Sequence, residues 1–370
     1  MIEYRFHIEK DTYVVWLSGI NRYLQLKEPA FRVFEQWAEG HSKSNIVKLC
    51  SVQYSLPADE SLRFVEEITS QVQSLFENNQ PGFRNKSEEN NFPLIPEYLS
   101  THTYQIGNHF FRFIYRNEYL KDLFHPLFRH HETDQVHTVF TRFELFNEGD
   151  QDGFLVDQSA THFFSVAEID GYQGAVFMEI LNAIHHMKST DWMGILHASA
   201  VTDGKGAIIF TAPSGSGKSS IALLMMVNGF SILSDDFVPV AMQEPEIYHF
   251  PAGISVKKTA VTFLKEYLPH LSSGINNETE FYLPPAGKTG ILASVKTKAI
   301  VFINYDPSTE YELKKEMNLE VMNDLIRQSW IAGTPEAAER FLEWYFKLPV
   351  YRLNYSDSHA AIEGIRELFR

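Results

Sequence analysis

The stretch "GAIIFTAPSGSGKSSIALLMMVNGFSILSDD", residues 206–236, decides the fold class predicted for this chain. It begins with the apolar run "AIIFT", passes through a loop of small residues, and continues as a second apolar run that ends at Gly229. A third run, "FSIL", ends in two aspartates. This order predicts strand, loop, helix and strand, the unit from which α/β sheets are built.

The loop of this unit has the composition of a phosphate-binding loop. Residues 212–219 follow the pattern G-x-x-x-x-G-K-[ST], with Ala212 in place of the first glycine. Lys218 would neutralise the β and γ phosphates, the Ser219 hydroxyl would ligate Mg²⁺, and the helix N-terminus would add its dipole. ATP and Mg²⁺ are therefore the expected cofactors. The alternative is a glycine-rich turn with a solvated lysine. The residues expected to line the nucleotide are Ser214, Gly215, Ser216, Gly217, Lys218, Ser219 and Ser220.

Three further residues are candidates for chemistry beside the loop. Asp235 and Asp236 end a strand, at the position where ligands bind in open α/β sheets. One carboxylate would hold Mg²⁺, and the second suits a kinase that must deprotonate an alcohol. His197 precedes a hairpin that leads to the loop strand, so it could lie across from the phosphates. The alternatives are a strand-end turn for the aspartates and a structural role for the histidine.

The motifs "LHASAV", "APSGSGKSS" and "SILSDDFVPV", in that order, resemble the catalytic domain of HPr kinase/phosphorylase and its relatives. The resemblance implies transfer of a phosphoryl group to a serine-type hydroxyl, with Asp236 as general base, Asp235 assisting the metal, and His197 in the active site. The following segment "YHFPAGISVKK", residues 248–258, lacks the carboxylates of that family. We therefore expect neither the HPr substrate nor the reverse reaction. Its Lys257 and Lys258, and Lys288 in "PPAGKTG", are either phosphate contacts or solvated surface charges.

The first 82 residues predict a small unit of two strands, "YVVWL" and "RYLQL", followed by three helices. Pro29 begins the first helix, and Ser42 and Asp59 are predicted to cap the second and third. This unit resembles a PqqD-type winged-helix domain, a peptide-recognition module of pathways that modify ribosomal peptides. The resemblance implies a leader peptide bound as an added strand at the sheet edge. The alternative is a winged helix used for packing or dimerisation.

The predicted architecture is α/β: an HPr kinase-like P-loop domain with a central sheet, preceded by a small winged-helix-like α+β domain. The polar segment "NNQPGFRNKSEENNFP" indicates the boundary between them. The predicted divisions are a winged-helix domain at 1–82, a linker at 83–96, and a P-loop domain at 97–370, with strands and a helix at 97–190 and the nucleotide-binding core at 191–370. Within the core we predict helices at 318–330 and 335–347.

Composition excludes several classes of partner. The chain has 370 residues, with 32 Lys and Arg against 47 Asp and Glu, and its formal charge of −15 argues against nucleic acid or anionic lipid. Its single cysteine permits no internal disulfide, and no apolar run reaches the roughly 20 residues that span a bilayer. A cytoplasmic protein is expected. Zinc is not expected at the paired histidines of "FRHHETDQVH" and "IHHM", because no HExxH motif or Cys partner accompanies them.

Together these features predict an ATP- and Mg²⁺-dependent kinase with a hydroxyl acceptor, on a peptide docked to residues 1–82. The sequence leaves two alternatives open: a nucleotide-gated peptide-binding or carrier protein without efficient transfer, and a small-molecule kinase. It does not indicate an oligomeric state.

Overall fold

The chain forms a mixed α/β protein with several sheets. Its backbone contacts divide it into two compact units, Met1–Arg84 with Ile331–Lys347, and Asn85–Trp330 with Leu348–Arg370. The structure, a computed structural model, describes residues 2–77, 99–135, 140–149, 151–157, 161–165, 168–268, 280–284, 292–316 and 319–370. The predicted linker, 83–96, lies outside the described residues. None of the described helices is long and apolar enough to cross a membrane.

The described elements are numbered in chain order. The strands are β1 (Tyr4–Glu9), β2 (Thr12–Leu17), β3 (Arg22–Lys27), β4 (Ser100–Ile106), β5 (His109–Tyr115), β6 (Thr141–Glu148), β7 (Gln151–Val156), β8 (Thr161–Ser165), β9 (Trp192–Leu196), β10 (Ser199–Thr202), β11 (Ala207–Thr211), β12 (Ser231–Asp235), β13 (Val238–Ala241), β14 (Glu246–Ile247), β15 (Ile254–Lys257), β16 (Glu280–Leu283), β17 (Val295–Tyr305), β18 (Tyr311–Glu316), β19 (Trp330–Ile331) and β20 (Val350–Tyr355). The α-helices are α1 (Glu28–Ala38), α2 (Lys43–Gln53), α3 (Ala58–Glu77), α4 (Glu118–Phe128), α5 (Ile169–His185), α6 (Lys218–Val227), α7 (Lys258–Leu264), α8 (Leu319–Arg327), α9 (Pro335–Lys347) and α10 (Ser358–Glu367).

The N-terminal unit begins with an antiparallel sheet in the order β1-β2-β3, followed by helices α1 to α3. Pro29 lies in the first turn of α1, and the Ser42 hydroxyl accepts a hydrogen bond from the Asn45 N–H (3.4 Å) at the start of α2. Asp59, predicted to cap α3, lies inside its first turn, because the helix already begins at Ala58. Strand β1 adds to the two strands predicted from the sequence.

Strand β2 is buried along its whole length because both faces of its sheet are covered. On one face Tyr13, Val15 and Leu17 join the core formed with α1, α2 and α3. On the other face the sheet meets α9, where the His7 and Phe346 rings stack at 4.1 Å between centroids. The helix at 335–347 thus packs within the N-terminal unit and not within the nucleotide-binding core predicted at 191–370.

The first part of the second unit is a sheet in the order β4-β5-β6-β7-β8. Strands β4 and β5 form a hairpin that turns at Gly107, whose φ of 60° lies in the left-handed region. Helices α4 and α5 pack their apolar faces on this sheet, and α4 was not predicted from the sequence. The buried aromatic residues of this core are Tyr104, Phe111, Phe113, Tyr115, Phe124, Phe128, Phe143, Phe154, Phe164, Tyr172, Phe177, Trp192, Phe237 and Phe250.

The larger sheet contains the strands around the phosphate-loop motif. It runs in the order β12-β10-β11-β17-β14-β13-β9, and β20 and β18 continue it from β17. Strand β10 is antiparallel to both β11 and β12, so these two strands run in the same direction. Helix α6 connects them and is apolar almost all round, since most of its side chains lie in the core. The carboxyl ends of β11 and β12 therefore lie at one edge of the sheet, where the start of β10 also lies.

Candidate phosphate and metal site

The sheet edge formed by β10, β11 and β12 brings the predicted site residues together. In the register of the strands, Ser199 at the start of β10 lies opposite Phe210 of β11 and opposite Asp235 of β12. The loop leaves this edge from the end of β11, and His197 precedes β10. Residues from three separate segments of the chain thus meet at one place because of the strand directions.

The loop between β11 and α6 has the tight backbone that a phosphate-binding loop requires. Gly215 and Gly217 have φ of 85° and 97°, in the left-handed region that glycine adopts without strain. The Ser216 N–H donates to the Pro213 carbonyl (3.2 Å), which closes a turn. Helix α6 begins at Lys218, so the N–H groups of its first turn, including Ser219 and Ser220, face the loop.

Lys218 is buried, although its side chain is a cation. Its Nζ donates a hydrogen bond to the Ala212 carbonyl (2.9 Å) across the loop. Burial lowers the pKa of Lys218, and the charges of Asp236 and Asp235 oppose that effect. An ammonium group held over the loop by a single carbonyl is in position to contact a phosphate oxygen.

Asp235 is buried at the end of β12 and is only partly satisfied. Its Oδ1 accepts hydrogen bonds from the Ser199 hydroxyl and from the Ser219 hydroxyl (3.1 Å). Its Oδ2 is buried without a hydrogen-bond partner in the described part of the chain. Burial, followed by the charge of Asp236, raises the pKa of Asp235 to about 7.

A carboxylate oxygen and a serine hydroxyl at this distance fit Mg²⁺, which prefers oxygen ligands and is usually held by one or two carboxylates. The unpartnered Oδ2 of Asp235 is the observation that supports this fit, because a buried oxygen without a partner costs free energy that a cation would recover. Ser219 and Asp235 would hold the ion. When bound, the ion would neutralise charge on the phosphates.

Asp236 lies in a different environment from its neighbour. Its side chain is 46% exposed, whereas Asp235 is 8% exposed. Its φ of 60° places it in the left-handed region, which aspartate tolerates better than most residues. The Asp236 Oδ1 and the His197 Nε2 lie 3.7 Å apart. An exposed carboxylate at the mouth of a phosphate loop is positioned to accept a proton from a hydroxyl.

His197 is neutral in this arrangement at pH 7. Burial lowers its pKa, and the nearby carboxylate of Asp236 opposes that effect. The charge of Asp170, in the first turn of α5, also acts to raise the pKa of His197. Asp170 was not identified from the sequence, since no motif connects it to the loop 45 residues later.

A second lysine approaches the loop from the end of β15. The Nζ of Lys257 lies 3.9 Å from the point that a Cβ on Gly215 would occupy. Its charge also lowers the pKa of Lys218. Lys257 was one of two lysines of "YHFPAGISVKK" considered as phosphate contacts, and the structure places its ammonium beside the loop. Lys288, the third lysine considered, lies outside the described residues.

The geometry therefore joins His197, Lys218, Ser219, Asp235 and Asp236 at one sheet edge and adds Lys257 to them. In comparisons with known proteins, the chain matches no model of a protein family, and a search of curated proteins found no significant match.

Proposed function

We propose that this protein is an ATP- and Mg²⁺-dependent kinase of the HPr kinase-like type, which transfers the γ-phosphoryl group to a hydroxyl. The observation that carries the proposal is the contrast between two adjacent carboxylates beside a phosphate-type loop. Asp235 is buried against Ser219, and Asp236 is exposed near His197. Hydrolysis or nucleotide binding alone needs only the first carboxylate, whereas transfer to an alcohol also uses the second.

In the proposed reaction each residue has one task. Lys218 and Lys257 contact phosphate oxygens, and Ser219 and Asp235 hold the metal ion. Asp236 accepts the proton of the acceptor hydroxyl while that oxygen bonds to the γ phosphorus and the bond to ADP breaks. His197 lies close enough to Asp236 to orient its carboxylate. The products are a phosphate ester, ADP and a proton carried by Asp236.

We further propose that the acceptor is a peptide and that the N-terminal unit is a PqqD-like winged-helix module that docks it. The order of three strands followed by three helices supports this assignment. Strand β3 is at one end of the sheet order, so a peptide strand could pair with it as an added strand.

The transfer reaction is tested with the full chain, γ-labelled ATP and hydroxyl-bearing peptides encoded beside this gene. We expect label in the peptide for the wild type, and a loss of at least about a hundredfold for Asp236→Asn with ATP binding retained. Asparagine is chosen because it tolerates the left-handed backbone of residue 236. The exposed Asp122 supplies the control substitution, Asp122→Asn, which should leave transfer unchanged.

Three results would contradict parts of the proposal. Label found only in released phosphate would favour a hydrolase or a nucleotide-gated carrier. Normal transfer by Asp236→Asn would remove the role assigned to this carboxylate. A labelled small molecule in place of a labelled peptide would favour the small-molecule kinase.

Peptide docking is tested by shortening the peptide and not the protein. Deletion of residues 1–82 would expose the apolar face of α9, which packs in the same unit. Removing the N-terminal leader from a peptide that the protein phosphorylates should raise KM with little change in kcat, because only binding remote from the acceptor hydroxyl is lost. An unchanged KM would leave the N-terminal unit without a docking role.

A further inference from the structure

A cluster of potential metal ligands lies away from the phosphate loop, on the first sheet of the second unit. It consists of His102 on β4, His125 on α4, and Glu132 just after α4. One ligand atom from each residue lies within 4.8 Å of the others. Ligands of a tetrahedral Zn²⁺ stand about 2.0–2.2 Å from the ion, hence about 3.5 Å from one another. Side-chain rotations that move the ligand atoms by about 1 Å would bring the three atoms to this separation.

The backbone holds Glu132 against strand β4. Glu132 forms an isolated antiparallel bridge with Tyr104, and the Thr133 N–H donates to the Thr103 carbonyl (2.9 Å). His102 and Tyr104 are two residues apart on β4 and so share one face of the sheet. These backbone contacts hold Glu132 beside His102, although the two residues are 30 positions apart in sequence.

Hydrogen bonds orient the two imidazoles. His102 Nδ1 and Glu132 Oε1 lie 2.6 Å apart, so an ion between them would replace this hydrogen bond and bind the lone pair of Nδ1, with the ring proton of His102 on Nε2. His125 Nδ1 pairs with the Tyr104 hydroxyl (2.8 Å), and this hydroxyl also pairs with that of Tyr115 (3.1 Å).

The two imidazoles lie side by side. The rings of His102 and His125 are 4.3 Å apart between centroids, so one ion could contact a nitrogen of each ring.

We propose that His102, His125 and Glu132 form a binding site for a divalent transition-metal ion of the Zn²⁺ type. Two imidazoles and one carboxylate are a common set of three protein ligands for zinc, with the fourth position open to water. No sequence motif indicates this site. His102 and His125 lie outside the paired histidines considered there, and their spacing matches no zinc motif. The site is independent of the proposed kinase function.

The test uses the full chain, freed of metal and titrated with Zn²⁺ and Co²⁺. We expect one ion per chain, the visible absorption of tetrahedral Co²⁺, and a higher unfolding temperature with Zn²⁺. His102→Ala and His125→Ala should each weaken Zn²⁺ binding by at least about tenfold. The matched control is His109→Ala, from a second histidine pair whose rings lie 4.9 Å apart and to which the described residues add no third ligand.

Glu132→Gln provides a variant that does not depend on replacing a ring, since the Glu132 side chain is 37% exposed and the substitution keeps its size. It should also weaken Zn²⁺ binding by at least about tenfold. Absence of Co²⁺ absorption and of a Zn²⁺-dependent stability change in the wild type would overturn the proposal. Equal binding by the wild type and the variants at His102, His125 and Glu132 would overturn it as well.

Discussion

The Ser219 hydroxyl donates a 3.1 Å hydrogen bond to Oδ1 of Asp235, which joins the first turn of α6 to the end of β12. The same carboxyl group has a pKa raised to about 7 and a buried Oδ2 without a partner in the described chain. A proton and a cation therefore compete for one group near neutral pH. This competition leads to two predictions about Asp235.

Mg²⁺ binding to the nucleotide-bound protein should strengthen as pH rises. Below pH 7 Asp235 carries a proton that the ion must displace, so the affinity should rise by up to about tenfold per pH unit between pH 5 and 7 and level off above. Calorimetry with ADP, in buffers of different ionisation enthalpy, measures the proton released. Because asparagine has no proton to release, the difference in proton release between the wild type and Asp235→Asn is the contribution of Asp235. Equal proton release by the wild type and the variant would contradict the prediction.

Asp235 should destabilise the metal-free protein at high pH. Its pKa is higher in the folded chain than its ordinary value of 3.8, so folding stability is fully present below about pH 4 and is lost as pH rises through 7. Asparagine cannot ionise, so Asp235→Asn avoids this loss. The free energy of unfolding of the variant minus that of the wild type should be roughly 1–3 kcal/mol larger at pH 8 than at pH 5. Urea unfolding at the two pH values measures the difference. A pH-independent difference would refute the stated cause.

Lys257 should contribute to nucleotide binding, and its neighbour should not. Lys257 lies beside Gly215, so its loss removes a charge-assisted contact to phosphate and should weaken ATP binding by about tenfold. Lys257→Ala and Lys258→Ala are compared by calorimetry at low and high salt. Lys258 is exposed at the start of α7, so Lys258→Ala should bind like the wild type, and equal losses would point to a general effect of surface charge.

Because α9 packs on the N-terminal sheet, a substitution in α9 should destabilise strands that lie far earlier in the sequence. Phe341 is fully buried, and its ring contacts Tyr23 of β3. Phe341→Ala should reduce the free energy of unfolding of this unit by about 3–5 kcal/mol. Hydrogen exchange should then accelerate in β1, β2 and β3, whereas the exposed Glu336→Ala should leave it nearly unchanged. Acceleration confined to α9 would contradict the assignment.

Elements with strong local signals were predictable from the sequence. Helix α9 has the predicted bounds, 335–347. Helix α4 was not recognised, because its sequence is rich in aromatic residues that also suit strands and contains Pro126. Asp59 was wrong as a cap, since helix α3 begins one residue before it. Such boundaries depend on tertiary packing as well as on local propensity.

Some residues of the candidate site were likewise predictable from the sequence, and others were not. The motif identified Lys218 and Ser219, and the strand pattern identified Asp235 and Asp236. Lys257 was visible only as one of two adjacent lysines, because nothing local shows that the end of β15 approaches Gly215. The cluster of His102, His125 and Glu132 could not be predicted, since its members meet through a strand pairing and a helix packing that no spacing rule encodes.

The N-terminal unit also has a consequence for the order of events during synthesis. The Asn21 side chain donates to the Ile331 carbonyl (2.9 Å), and these two residues are separated by 310 positions in the chain. At about 5–20 residues per second, a ribosome would need roughly 15–60 s to make the intervening chain. The β1-β2-β3 sheet leaves the exit tunnel long before α9, so Val14 and Trp16 on its α9 face wait uncovered for that time. This unit is therefore completed only long after its strands have emerged, and a chaperone has that interval in which to bind it.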